Sequence, residues 1–86
     1  MSSKTLRLTI KRQFFDLIAA GQKKIEYREI KPHWITRLDG GRKYDEVFFL
    51  NGYRPDSPTM RVQCLGISRN CNYFEIHLGK ILDIKN

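Results

Sequence analysis

No purely apolar stretch in this chain exceeds four residues, and the one with most strand character is Val47-Phe48-Phe49-Leu50. A membrane-spanning helix needs roughly 18–20 such residues, so no segment reads as a span. Hydrophobic residues recur instead at every second position. Leu6, Leu8 and Ile10 alternate with Thr5, Arg7 and Thr9, and Phe74, Ile76 and Leu78 alternate with Tyr73, Glu75 and His77. Alternation of this kind builds strands dry on one face and wet on the other. Eighty-six residues leave room for one core, so residues 1–86 read as a single domain. A chain of that size buries only about 60–65% of its unfolded surface, which calls for a compact core made mostly of sheet or a small barrel.

Helical spacing shows in two places. Phe14, Leu17 and Ile18 form one stripe, closed by Ala19-Ala20-Gly21, where the glycine suits a left-handed C-cap. Pro32 suits the first turn of a second short helix carrying Trp34, Ile35 and Leu38, broken at Asp39-Gly40-Gly41. Between them, Lys23–Glu29 reads as a strand with Ile25 and Tyr27 on one face and Lys24, Glu26 and Arg28 on the other. The Val47–Leu50 run is apolar on both faces and is expected to lie centrally. Residues 51–59 hold Gly52, Pro55 and Pro58 and read as an exposed loop. Met60–Ser68 is a further strand with a bulge expected at Gly66, and Asn70-Cys71-Asn72 turns the chain. Gly79 is expected to interrupt the closing segment before Ile81, Leu82 and Ile84 finish a last strand. Five or six strands with one or two short helices make an α+β fold, a small mixed β-barrel whose closure would remove unpaired edges.

Lys and Arg outnumber Asp and Glu by 16 to 9, a net charge of +7. The whole excess lies in residues 1–44. A basic stripe concentrates polyanions, of which nucleic acid is the commonest, and a plain solvated face is the alternative. Cys64 and Cys71 form no Cys-x-x-Cys and stand apart from His33 and His77, so they read as reduced thiols with no metal site. No cofactor motif is visible. The segment Met1–Arg7 has no apolar h-region, so no signal peptide is read and a cytoplasmic location is expected.

The densest polar feature is Gly21-Gln22-Lys23-Lys24-Ile25-Glu26-Tyr27-Arg28-Glu29. Glu26 and Arg28 share a strand face, and Lys23 joins them only if the strand starts after it or bulges. A carboxylate beside a guanidinium fixes the guanidinium plane and leaves its other donors for a phosphate or a base edge. The same residues on an exposed strand would form a pair worth less than about 1 kcal/mol.

The spacing Gly21-x-Lys23-x-x-Glu26-x-Arg28 resembles the signature of the ASCH family, the activating signal cointegrator homology domains. The surroundings agree: a strand and helix ending in that glycine, a Trp soon after, a hydrophobic mid-chain strand and a closing strand at Tyr73–Leu82. The resemblance implies a PUA-like β-barrel with the signature lining a cleft, and binding of RNA or a nucleotide-like ligand; taken with the basic first half, single-stranded RNA is the partner expected. On that basis Lys23 and Arg28 hold a phosphate or base edge, and Glu26 orients Arg28 or accepts from an exocyclic amine. Alanine at Arg28 is then expected to weaken binding with little effect on melting. Tyr27 is expected in the core and Trp34 in packing, with His33 beside it. Asn51, Tyr53 and Arg54 end the central strand with an amide, a ring and a guanidinium that can together hold one nucleotide. Turn chemistry alone accounts for Asn51-Gly52 equally well. Arg61, Glu75 and His77 read as solvated.

Catalysis is the rival reading. Some small bacterial members of that family deacetylate a modified cytidine with the signature Lys, a Thr nucleophile and a Glu from a helical insertion. Lys23 matches the Lys, but Glu26 stands where the Thr would be, and the chain between Ser68 and Tyr73 is too short for the insertion. A metal-independent ribonuclease would use Glu26 on the 2′-hydroxyl, with Lys23 and Arg28 on the phosphorane. A carboxylate clamped by Arg is a poor base, which favours a binding module over a hydrolase. No run of exposed apolar residues marks a protein-binding face.

Overall fold

A computed structural model of the chain describes residues 4–40 and 43–85; Met1–Ser3 and Gly41, both used in the expectations above, lie outside them. The elements run β1 (Thr5–Thr9), α1 (Arg12–Ala19), β2 (Ile25–Glu29), α2 (Pro32–Leu38), β3 (Glu46–Leu50), β4 (Thr59–Arg69) and β5 (Tyr73–Lys85). The five strands form one sheet in the order β1-β3-β4-β5-β2. β1 is parallel to β3, and every other neighbouring pair is antiparallel. A parallel pair needs a crossover connection, here supplied by α1, β2 and α2. The class is α+β, with five strands and two helices among the described residues.

Alternation in the sequence becomes alternation in burial. Leu6 and Leu8 of β1, Val47 and Phe49 of β3, Met60 and Val62 of β4, and Phe74, Ile76 and Leu78 of β5 are all buried. Phe15 and Ile18 of α1 and Leu38 of α2 join the same cluster, as do Ile10 and Cys64. Each fully buried large side chain contributes about 1.5–3 kcal/mol relative to exposure, so this single cluster carries the fold. β3 has a strand on either side, as the doubly apolar run requires.

A flat five-stranded sheet would hold its outermost strands roughly 19 Å apart. Yet the side chain of Arg28 on β2 reaches the Thr9 carbonyl on β1 at 3.2 Å. The sheet is therefore curled into a half-barrel. The bending lies in the β4–β5 pair, whose register slips between Arg61 and Val62, between Val62 and Cys64, and between Cys64 and Gly66. Each slip breaks the ladder locally and increases the twist. Gly66 sits in the last of them with φ +150°, where the sequence places a bulge.

Two expectations are corrected. No ladder joins β1 to β2 among the described residues, so the barrel is open along that seam instead of closed. β5 also runs unbroken for 13 residues through Gly79. A Cβ at Gly79 would meet Gln63 Oε1 at 2.6 Å and Leu65 Cδ2 at 2.9 Å, so this glycine admits the side chains of β4 and does not end a strand. Both cysteines are free thiols, Cys64 buried and Cys71 exposed. Burial pushes the Cys64 thiol up, against a backbone hydrogen bond from Gly66 and with help from the Asp45 charge, which leaves it an inert core group.

The bulge makes a direct prediction. Nothing lies within 4 Å of a Cβ built on Gly66, so alanine there meets no clash and bears only the cost of the backbone conformation. Gly66→Ala is expected to lower unfolding free energy by about 1–3 kcal/mol in urea titration. An unchanged midpoint would contradict the bulge.

Candidate functional site

α1 ends in a Schellman turn. The Gly21 N–H donates to the Ile18 carbonyl at 3.0 Å and the Gln22 N–H to the Leu17 carbonyl at 2.9 Å. This closure needs the positive φ of +78° that Gly21 adopts. The chain is thereby reversed and delivers Lys23 just ahead of β2. Because β2 starts at Ile25, Lys23 escapes strand parity and joins Glu26 and Arg28.

The sidedness of β2 is opposite to the apolar pattern of its own sequence. Tyr27, expected in the core, is 48% exposed, whereas Glu26 is 6% exposed. The ladder with β5 explains the reversal: Glu26 pairs with Ile76 and Arg28 with Phe74, both core residues, and directly paired residues share a face. The two charged side chains therefore point into the half-barrel.

Among the described residues Glu26 is the one buried charged group. An unpaired carboxylate in that place would cost several kcal/mol. Its Oε2 accepts from Arg28 Nε at 3.1 Å and Nη2 at 2.5 Å. Its Oε1 lies 3.4 Å from Lys23 Nζ. Lys23 also donates to the Ile25 carbonyl at 2.6 Å. Its ammonium stands 5.6 Å from the Phe14 ring centre and 5.3 Å from that of Tyr27. The Arg28 guanidinium donates to Thr9 O and lies 5.0 Å from the Trp34 ring centre. Two cations thus share one buried carboxylate, leaving a net positive floor.

These groups line a cleft of about 480 Å³, within the range that holds one small ligand. Phe14, Tyr27 and Trp34 give it aromatic walls; Lys11, Lys23, Arg28 and Lys31 line it together with Glu26 and Glu29. Arg28 Nη1 makes no hydrogen bond among the described residues. Cationic donors and flat rings together suit an anion joined to a planar group.

Lys23, Glu26 and Arg28 converge here, but Asn51, Tyr53 and Arg54 do not line this cleft. Asn51 Nδ2 donates to the Ile10 carbonyl at 3.0 Å, tying the end of β3 to the cleft's rim. Tyr53 is 90% exposed. The Arg54 N–H donates to Ser57 Oγ at 3.0 Å within its own loop. Trp34 packs against the core as expected and also forms a wall, with His33 edge-on to it. Lys11 and Lys31, which the sequence does not single out, each directly precede a helix; no local pattern marks them. Glu75 and His77 are half-buried, not solvated, and Ser68 Oγ lies within 2.8 Å of His77 Nε2 and 3.3 Å of Glu75 Oε1.

No family model matches the chain, and neither a curated protein nor a solved structure matches it. The geometry therefore carries the functional reading.

The contacts of Arg28 reverse the expectation that alanine there spares stability. Arg28→Ala and Glu26→Ala are each expected to lower unfolding free energy by about 2–3 kcal/mol, below the fully buried limit because the two cations are partly exposed. The double variant is expected to fall short of the sum. Additive losses in a double-mutant cycle would show that the two do not act as one unit.

Proposed function

We propose that this domain binds single-stranded RNA, or a nucleotide-like ligand, in the cleft between α1, β2 and α2. The observation that carries the reading is the buried Glu26 carboxylate, which holds Lys23 and Arg28 at the floor of an aromatic-walled cleft. A phosphate takes the remaining donors of Lys23 and Arg28, and a base lies against Tyr27 or Trp34. Stacking of a base on such a ring contributes about 1–3 kcal/mol. Support comes also from the resemblance of Gly21-x-Lys23-x-x-Glu26-x-Arg28 to the ASCH signature, and from a curled sheet compatible with a PUA-like barrel. Lys11, Lys23, Arg28 and Lys31 all belong to the basic first half of the chain, so its excess charge is partly gathered at this cleft.

The clamped state of Glu26 favours binding over cleavage. Glu26 has both oxygens against cations and a side chain only 9% exposed, so it orients Arg28 and is poorly placed to take a proton. The deacetylase arrangement has no counterpart either: β4 and β5 are joined by residues 70–72 alone, with no helical insertion.

The test is fluorescence anisotropy with labelled single-stranded RNA, duplex RNA and single-stranded DNA at about 50 and 200 mM salt, since each phosphate contact steepens the salt dependence. The expected result is preference for single-stranded RNA at both salts, RNA recovered intact, and at least about a ten-fold loss with Lys23→Ala. Equal weak binding to all three that vanishes at the higher salt would reduce the positive charge to a solvated face. Cut RNA would favour the nuclease.

A further inference from the structure

Resting on the reading of the cleft as a nucleotide site, we infer that recognition continues onto Tyr73, so that the ligand is an RNA strand of at least two nucleotides and not a free mononucleotide. A second depression of about 330 Å³ adjoins the cleft and shares Glu29 and Lys31 with it. The wall between them is the Lys31–Glu29 ion pair, 3.3 Å long with both side chains about two-thirds exposed. A pair so exposed is weakly held and opens readily to a phosphate.

Each depression has its own tyrosine. Tyr27 lines the first and Tyr73 the second, with ring centres 6.1 Å apart and planes at 73°. Their common face follows from register: Tyr27 pairs with Glu75 and Glu29 with Tyr73, which makes the two rings diagonal neighbours on the outside of β2 and β5. They are 48% and 45% exposed, a pair of aromatic surfaces open to solvent beside a cationic cleft.

The turn before Tyr73 is held in place. Asn70 Oδ1 accepts from the N–H of Asn72 at 2.8 Å and from that of Tyr73 at 2.7 Å. Asn72 lines the second depression, and its side-chain amide makes no hydrogen bond among the described residues. An amide offers both a donor and an acceptor to a base edge, and a turn fixed in advance lowers the ordering cost of using it. A first nucleotide in the cleft, its linking phosphate taking Lys31 from Glu29 and a second base on Tyr73 with Asn72 at its edge would use the cation, the ring and the amide along this track.

The test compares adenosine and uridine 5′-monophosphates with labelled rA and rU hexamers, on the wild type, Tyr73→Ala and Tyr73→Phe. The expected result is tighter hexamer binding by the wild type and about a ten-fold loss in Tyr73→Ala. Tyr73→Phe, which keeps the ring, is expected to retain the affinity, and mononucleotide binding to stay the same in all three proteins. Equal wild-type affinity for monomer and hexamer, or hexamer binding indifferent to Tyr73→Ala, would overturn the inference while leaving the cleft as a mononucleotide site. Absence of binding to any probe would overturn both. Thermal melting of each variant separates loss of the ring from loss of the fold.

Discussion

The Arg28 guanidinium joins two strands that no backbone ladder joins among the described residues. Its Nη2 donates to Thr9 O on β1 while its Nε and Nη2 grip Glu26 on its own strand β2, which is the opposite edge of the sheet. Sheet edges are usually covered or blunted by other means; here one seam is bridged by a side chain that also faces a cleft. The curl set by the β4–β5 register slips brings the seam within an arginine's reach, and the same contact places the cationic floor. Fold and site therefore share a single interaction.

That sharing has an energetic consequence. A buried carboxylate with two cations is weak evidence for stability, because well-packed apolar residues of similar volume often do as well or better. What it does provide is orientation. Glu26 holds the guanidinium plane and keeps Lys23 close, so both cations are held by the fold itself, which is the preorganisation the proposed binding would use. Trp34 and the Tyr27 and Phe14 rings stand against the same cations, so aromatic surface and positive charge come to the cleft as a unit.

Much of this was legible in the sequence, and the reasons differ by element. Period-two alternation marked the buried faces of β1 and β5, and the left-handed demand at the end of α1 marked Gly21. The bulge at Gly66 was legible for the same conformational reason. The sidedness of β2 was not, because it is decided by cross-strand pairing with Phe74 and Ile76, some fifty residues away in the chain. Counting apolar residues along Ile25–Glu29 favours the wrong face. Gly79 was misread as a break because its role depends on Gln63 and Leu65, side chains on a neighbouring strand. The motif at Lys23, Glu26 and Arg28 was visible by spacing, but Lys11, Lys31 and Phe14 reach the cleft only through tertiary folding. Asn51 read equally as a nucleotide contact and as a turn residue, and neither reading anticipates that its side chain ties the end of β3 to the distant Ile10 carbonyl.

The central claim is that the Arg28 guanidinium, fixed by Glu26, is the group a nucleotide phosphate meets. It is tested most directly by the Arg28 Nε–Hε signal in a proton–nitrogen correlation spectrum, followed as single-stranded RNA is added. In the free protein a hydrogen-bonded, partly buried Nε–H is expected to exchange slowly with water and stand apart from the exposed arginines. On titration it is expected to shift with the binding isotherm, and in Glu26→Gln to lose both its protection and its response. A signal that exchanges as fast as those of Arg12 and Arg54, or that stays still at saturating RNA, would contradict the account.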